Sequence, residues 1–591
     1  GIYGGSSVYG TGNPVALLKD YGHIRNVYGT LLADLSIRQD LSALTKGLAA
    51  EASVSFDNIG GMNETTNKEY RYMNSNASIT SDGTLVTTPA IYGTDSETLG
   101  HTQPFERLML RSDFQAKVDY NRTFGKHQVG GALIYDMQSV VKNGRNNSQK
   151  NQSVLVNATY TYDNRYSLNA VFNRSGSAYL PDGDKYSNYP AVSAAWIVSN
   201  EAFMEKVTPI NLFKIRASYG LSGWDGNLSH ELWRQSYGSG GAGYNFGVNA
   251  GGQSGGSEGD LPVIGLVAEK SQKATFGFDL AAFDNRLNAT VEGFYEKRSD
   301  ILVSGANSTS GIIGITVGQV NEGIYKYKGV DASLSWNDKI GDFHYGIGAS
   351  MSYLNTEVVN VNQAYQEYDY LYTKGNRIGQ MYGLEAIGFF NSQQEINNSP
   401  QQTFSDVAPG DVKYKDQNGD NRIDEKDVVK MFGSSVPRFY FGFNLNFSYK
   451  RLELSADFQG MTGVTVSLLN SPLYSPLVSN GNISNTFLNE EISWTPENKT
   501  NATMPRLTTQ ENLNNYRANS LWYRDGSFLK LRNLLVAYTF PKSQTRFADL
   551  KVFVQGTNLF SLDNIHFADP EQLGIAYPST RSYWAGIKLN F

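Results

Sequence analysis

The stretch Phe439-Tyr440-Phe441-Gly442-Phe443-Asn444-Leu445-Asn446-Phe447-Ser448-Tyr449 places Phe, Leu or Tyr at every odd position, with Gly442, Asn444, Asn446 and Ser448 opposite them. Successive side chains of a strand point to opposite faces, so this pattern is a strand with one greasy and one wet side. It recurs at Phe343, Tyr345, Ile347, Ala349, Met351 and Tyr353, opposed by His344, Gly346, Gly348, Ser350 and Ser352. Leu287, Ala289 and Val291 repeat it, as do Leu452, Leu454, Ala456 and Phe458. The last residues set Tyr583, Ala585, Ile587, Leu589 and Phe591 against Ser582, Gly586, Lys588 and Asn590. Roughly eighteen such segments of about ten residues are legible, the length a tilted strand needs to cross hydrocarbon.

Composition agrees. The 591 residues include 59 Gly, 37 Tyr and 30 Phe but only 17 Pro, and 18% are charged. Tyr and Phe suit a pleated, half-buried surface, and Gly and Asn suit the turns between strands. No run of about 18 apolar residues occurs, which excludes a spanning helix but not a barrel, whose strands satisfy one another's backbone and can alternate. No linker, charge block or composition shift divides the chain, so one large architecture is expected. With no cysteine, disulfides and thiolate metal sites are excluded, and a net charge of -6 offers no footprint for nucleic acid. The first residue is Gly and no signal peptide is visible, so a mature or truncated product is expected.

Sandwiches, propellers and solenoids also contain alternating strands. Connection lengths separate them from a membrane barrel, which has short turns on one side and long loops on the other. Reading back from Phe591, a long connection (Ser561 to Ser579) is followed by a short one (Pro541 to Asp549). A stretch of some sixty residues then leads back to Met461. The tight turn Lys450-Arg451 comes next, then the very long stretch Asn355 to Pro437, a short turn at Asn337 to Asp342, a long one at Ser304 to Gly323, and a short one at Asp284-Asn285. The order does not slip. It predicts an all-β, antiparallel transmembrane β-barrel over residues 1–591, with extracellular loop regions near 236–260, 355–437 and 462–527.

Several blocks resemble the SusC-like branch of TonB-dependent transporters. They are Pro409-Gly410-Asp411-Val412-Lys413-Tyr414, Asp416-Gln417-Asn418-Gly419-Asp420, and Pro437-Arg438 with the strand that follows. Others are Gly379-Gln380-Met381-Tyr382-Gly383 with Gly388-Phe389-Phe390, the segment Asp525 to Asn533, the run Val554 to Phe560, and the terminal strand. They keep the family's order over about the last two-thirds of the chain. The resemblance implies a barrel of 22 strands in the outer membrane of a Gram-negative bacterium, a plug domain inside it, and energy from the TonB–ExbB–ExbD complex. It also implies a SusD-like surface lipoprotein as lid and a dimer of transporter–lid pairs. One departure matters: the sequence opens, around Asn13-Pro14-Val15-Ala16-Leu17-Leu18, on a segment resembling a region a few strands into the barrel. Plug and first strands are therefore expected from elsewhere, since a sheet without them has two open edges.

Asp416-x-Asn418-x-Asp420-x-Arg422-x-Asp424-x-x-Asp427 has oxygen ligands at positions 1, 3, 5, 9 and 12, with the backbone carbonyl of Arg422 at 7, the spacing of a calcium loop of the EF-hand type. Position 6 is Asn421 rather than Gly, and Asn tolerates the left-handed turn needed there. Calcium is expected here as a structural ion; a solvated cluster of Asx turns is the alternative. Tyr365, Tyr368, Asp369, Tyr370 and Tyr372 are the candidate ligand contacts, aromatic faces beside a carboxylate, with a barrel-rim girdle as the bland alternative. The glycine-rich segment Ser236 to Asp260, with Tyr237, Tyr244 and Phe246, lacks a Walker lysine and reads as an outer loop; Trp224, Asp225 and Trp233 lie beside it. His23, His101, His127, His230, His344 and His566 form no catalytic or zinc pattern, so no enzyme activity is expected. Terminal Phe591 on an alternating strand resembles the barrel-assembly signal. The reading is an active importer of an oligosaccharide or oligopeptide, its lumen lined by Asn444, Asn446, Glu292, Asp331, Glu453 and Asp457. A barrel-anchored adhesin or a siderophore or vitamin receptor is the alternative.

Overall fold

The structure, a computed structural model, describes residues 2–5, 13–80, 82–142, 148–244, 253–307, 312, 314–315, 317–470, 492–508, 511–566, 568–573 and 579–591. Among them, eighteen strands belong to one antiparallel sheet, seventeen long ones and the three-residue piece Gly100–Thr102. The long strands are β1 (Gly22–Asp40), β2 (Leu48–Asn67), β3 (Phe105–Phe124), β4 (His127–Lys142), β5 (Ser148–Tyr162), β6 (Tyr166–Ser177), β7 (Tyr186–Ile197), β8 (Ile210–Trp224) and β9 (Glu269–Ala282). They continue as β10 (Leu287–Ser304), β11 (Gln319–Ile340), β12 (Phe343–Asn360), β13 (Phe439–Tyr449), β14 (Leu452–Thr462), β15 (Phe528–Phe540), β16 (Asp549–Asp563) and β17 (Ser582–Asn590).

By internal contacts the chain divides into two units: Gly1–Tyr120, Ala132–Leu155 and Ser175–Tyr179 form one, and Asn121–Gly131, Val156–Arg174 and Leu180–Phe591 the other. In the first, β2 pairs with β1 and with β3. Leu35, Val54 and Phe114 stand side by side across these strands, and one step along stand Asp34, Ser55 and Asp113. All of β1 is exposed.

In the second unit each of β7 to β17 pairs with the next in sequence. Two neighbouring rows across β8 to β16 define the sheet's faces. One row reads Phe213, Leu280, Ala289, Leu334, Ala349, Phe443, Phe458, Leu531, Phe560, without a polar side chain; Phe443 and Phe458 stack with centroids 4.3 Å apart. The next reads Lys214, Asp279, Thr290, Ser333, Ser350, Gly442, Gln459, Lys530, Ser561, without an apolar one. Register is therefore locked, because a slip of one residue would exchange the faces. A sandwich would bury the apolar face against a second sheet. Here it stays open, with Leu334 52% and Ile347 45% exposed.

The connections keep the expected parity. Short turns join β9 to β10, β11 to β12 and β13 to β14, with left-handed residues at Asp284, Asn285, Gly341 and Lys450 that turn the chain in the fewest steps. Long ones follow β8, β10, β12, β14 and β16. β12 runs on to Asn360 and β11 begins at Gln319, so two long connections are shorter than the sequence implied; both strands extend past the region of clean alternation. Towards the N-terminus length stops tracking side: residues 178–185, on the long side, are fewer than 198–209, where two 3-10 turns are inserted.

Candidate functional site

The wet face of the second unit carries the charged residues. Glu292 stands beside Asp331, which stands beside Ser352 and then Tyr440; Asn444 stands beside Asp457. Arg216 bonds Glu292 and lies 3.4 Å from Asp279; Lys551 reaches Glu453 at 2.6 Å, and Ser455 donates to Asn446 at 2.7 Å. A recess of about 580 Å³ opens on this wall between Arg216, Glu292, Asp331, Ser352, Tyr440 and Gln459. All six side chains proposed for the lumen lie on this face. Lys530, 3% exposed, is held by Asp569 and Glu571, and Glu571 also grips Arg532. Arg216, Lys530, Arg532 and Lys551 each have an opposite partner, which offsets their desolvation.

Above the long-loop ends of β12 to β15, residues 361–438, 463–470, 492–508 and 511–527 fold into a crown with its own interior. Leu384, Val412, Tyr414 and Ile423 form one apolar cluster, joined by Phe389, Phe404 and Leu521; Leu468, Met504 and Trp522 form another. Between them runs a buried polar network. The Asp411 carboxylate is wholly buried and accepts from Arg506 Nε (2.7 Å), Asn515 Nδ2 (2.9 Å), Asn512 Nδ2 (3.1 Å) and the Ala408 amide (2.8 Å). Asn514 donates to the Val412 carbonyl and accepts from Gln402, whose own oxygen receives the Tyr414 amide. Tyr414 donates its hydroxyl to the Asn514 carbonyl and accepts from Asn519, and burial pushes its pKa well up. Satisfied polar groups at this density fix one arrangement, because any alternative strands them unpaired. The sequence reading missed Asp411, Arg506, Gln402 and the four asparagines as a set. The signal lay in the spacing Asn512-x-Asn514-Asn515-x-x-x-Asn519, dense in amides where a loop would need few.

The two motifs singled out from sequence meet on the crown's surface. In the acidic loop, Asp416 accepts from the amides of Gly419 (2.7 Å) and Asn421 (2.9 Å), and Asp420 from that of Arg422 (2.9 Å) and from Asn418 Nδ2 (3.0 Å). Asn421 is left-handed, as expected. Asp424 accepts from the Lys426 amide, while buried Asp427 accepts from the amides of Gln417 and Asp424, closing a capping box. Among the described residues no group of three or more His, Cys, Asp or Glu side chains is spaced to hold a metal. Tyr368 and Tyr370 stack at 5.3 Å, and Tyr370 donates to the Lys426 carbonyl (2.7 Å) while Lys426 pairs with Glu367 (2.8 Å). Burial, then the charge of Asp427, raises the Tyr370 pKa. Tyr372 accepts from the Gln366 amide, Asp369 opens a 3-10 turn, and Tyr365 is 85% exposed. The acidic loop thus supports the aromatic run, leaving Tyr365 and Asp369 the most open of the five.

The glycine-rich segment forms a hairpin of Tyr237–Tyr244 with Gln253–Glu258, and Arg234 lies over the Trp233 ring at 4.3 Å; Phe246 lies outside the described residues.

An antiparallel sheet with one apolar face open over many strands, and a charged, recessed other face, defines a transmembrane β-barrel of the outer membrane of a Gram-negative bacterium. No family model matches the chain. It is 28% identical over 461 residues to TonB-dependent receptor P26 of Formosa agariphila, covering 73% of this chain and 45% of that one. With TonB-dependent receptor SusC of Bacteroides thetaiotaomicron it shares 20% over 463 residues, 73% of this chain and 43% of that one. The fold superposes on the RagAB peptide transporter with a TM-score of 0.71 at 17% identity, covering 96% of this chain and 62% of the other. The chain is similar to TonB-dependent receptors, SusC among them, and it spans about half the length of the curated relatives it matches.

Proposed function

We propose that the chain is the wall of an active importer, which draws an oligopeptide or oligosaccharide through the outer membrane with energy delivered by the TonB–ExbB–ExbD complex. The observation that carries this reading is the pair of adjacent rows across β8 to β16, one wholly apolar and one wholly polar. Such a wall stands in hydrocarbon and encloses a wet, charged path. The crown lies on the side with the long connections, which in this reading faces outwards, and its rigid interior suits it to meet a SusD-like lipoprotein closing over the opening. A peptide cargo draws support from the RagAB peptide transporter, a fold neighbour whose name states its cargo.

The test is uptake by cells carrying the complete protein. Radiolabelled oligopeptide and oligosaccharide mixtures should accumulate, and the accumulation should vanish when TonB is deleted. Surface binding that persists unchanged without TonB, with no internal label, would identify an adhesin instead.

Calcium at Asp416–Asp427 is part of the same proposal, as a structural ion of the crown. A carboxylate has about four lone-pair sites, so oxygens that accept backbone amides in Asp416, Asp420 and Asp424 keep capacity for a cation. Asp427 fits less well, because its carboxylate is wholly buried and closes the capping box. Chelation should speed proteolysis between residues 416 and 427; identical cleavage with calcium and with chelator would leave the loop as a metal-free turn cluster.

A further inference from the structure

At the foot of the crown a cavity of about 950 Å³ opens among the end of β12, the start of β13, the end of β14 and the approach to β15. Two arginines line it. Arg377 sits on the segment that returns along β12, fixed by the Val358 amide donating to the Asn376 carbonyl and the Ile378 amide donating to Thr356 Oγ1. Its Nη2 donates to the Val436 carbonyl at 2.7 Å, and its buried Nε has no hydrogen-bond partner among the described residues. Arg438 lies two residues beyond Val436. By the alternation of β13 it points to the same wet face as Tyr440 and Gly442, so it continues the polar wall upward.

Neither guanidinium has an ion-pair partner among the described residues, whereas Arg216, Arg506, Lys530 and Lys551 each have one. Burial and the neighbouring charge of Arg438 both lower the Arg377 pKa, the mark of a cation held where its surroundings do not favour it. Lys430 adds a third positive charge to the cavity, against Glu357 and Asp525, and Asp525 is engaged by Ser527 and Asn564. Two arginines held together by backbone geometry, one with an unused buried donor, are complementary to a planar or tetrahedral oxyanion, which the fork of a guanidinium binds through two parallel bonds.

We propose that Arg377 and Arg438 form an anion site at the mouth of the lumen, which takes a carboxylate or sulfate ester carried by the imported molecule. Only the word imported rests on the function proposed above; the site itself does not. A cavity of this volume is the size of a small-ligand pocket. That favours a group of the cargo over an acidic surface of a partner protein.

The complete receptor in detergent is titrated calorimetrically with sodium sulfate and with sodium acetate at constant ionic strength. Saturable binding is expected, roughly tenfold weaker in Arg438→Gln, as the loss of one charge-assisted pair implies, and absent in Arg377→Gln/Arg438→Gln. Arg438 makes no side-chain hydrogen bond or ion pair among the described residues, so its variant should fold, and an unchanged melting curve verifies that. Arg377→Lys keeps the charge but loses the fork, and should weaken sulfate more than acetate. Triglutamate, trigalacturonate and a sulfated trisaccharide then distinguish the source: whichever binds more tightly than the free ion, and loses that margin in Arg438→Gln, names the cargo's anionic group. Equal affinity in wild type and double variant overturns the proposal. So does anion binding that appears only once an acidic partner lipoprotein is present. Binding without uptake would leave the site standing and sink the importer.

Discussion

The wall and the crown are built on opposite rules. In the wall, each residue's environment follows from its place in its strand's alternation, and pairings such as Ser350 with Gly442 and Ala349 with Phe443 repeat a single spacing. In the crown, Asp411 bonds Arg506 and Asn515, about a hundred positions away, and nothing periodic connects them. A membrane solvates one face of the wall and water the other, so local alternation suffices. The crown has water all round, and to be rigid it must make an interior from distant pieces.

The largest expected effect lies in the crown. Asp411→Ala strips four donors of their acceptor in a wholly buried place, at a cost of about 3–5 kcal/mol, the range for breaking a buried ion pair from one side. Hydrogen exchange should accelerate in 384–390, 412–414 and 512–522 while the amides of β9 to β14 keep their protection. Joint loss in both regions would erase the distinction between wall and crown.

In the wall the corresponding change is Leu334→Arg, which sets a charge against hydrocarbon and should cost about 2–4 kcal/mol in bilayer unfolding titrations. Ser333→Arg, one residue away on the wet face, should cost under about 1 kcal/mol by the same comparison of lipid-facing and lumen-facing sites. Equal costs at the two positions would mean that the faces are not solvated differently.

How much of each region could be read from sequence follows from the same contrast. The bounds of β13, β14 and β10 were legible to within a few residues, because a strand's face pattern is carried by the strand itself. The parity of connections from β9 to β17 was legible for the same reason. Residues 361–438 appeared only as a long connection, since the cluster of Val412, Tyr414 and Ile423 finds its partners at Leu521 and Asn519 across a gap no window spans. The acidic loop and the aromatic run were visible as separate motifs. That Tyr370 seats on Lys426, joining them, depends on backbone geometry that neither motif encodes.

A smaller effect sharpens the comparison at a single backbone position. Gly410 has φ +94°, and an added Cβ would meet Trp494 Cε3 at 2.4 Å and Arg506 Cβ at 2.8 Å. Gly410→Ala should therefore destabilise the crown by roughly 1–3 kcal/mol through strain and displacement of the Asp411 partner. Gly341→Ala, at a left-handed turn of the wall with open space around it, should cost less. Limited proteolysis of crown and wall fragments in the two variants gives the order.

The smallest expected effect is a pH dependence confined to the crown. Glu395 accepts from the Asn391 amide at 2.9 Å and from Lys413 Nζ at 3.0 Å, and these two interactions, the amide first, hold its carboxyl below the usual range. A group whose pKa is depressed by folding stabilises the folded state above its unfolded value, about 4.3 for glutamate, and that contribution fades as pH falls through the lower folded value. Protection of the helix Gln393–Asn397 and of Lys413 should thus be flat from neutral pH down to the unfolded value and decline below it. Glu395→Gln removes the titrating group and should abolish the decline at this site while leaving the wall as it was. If the variant keeps the same acid-side loss, the dependence belongs to other carboxylates of the crown, with Glu385, lowered by Gln417 and Lys415, the next to test.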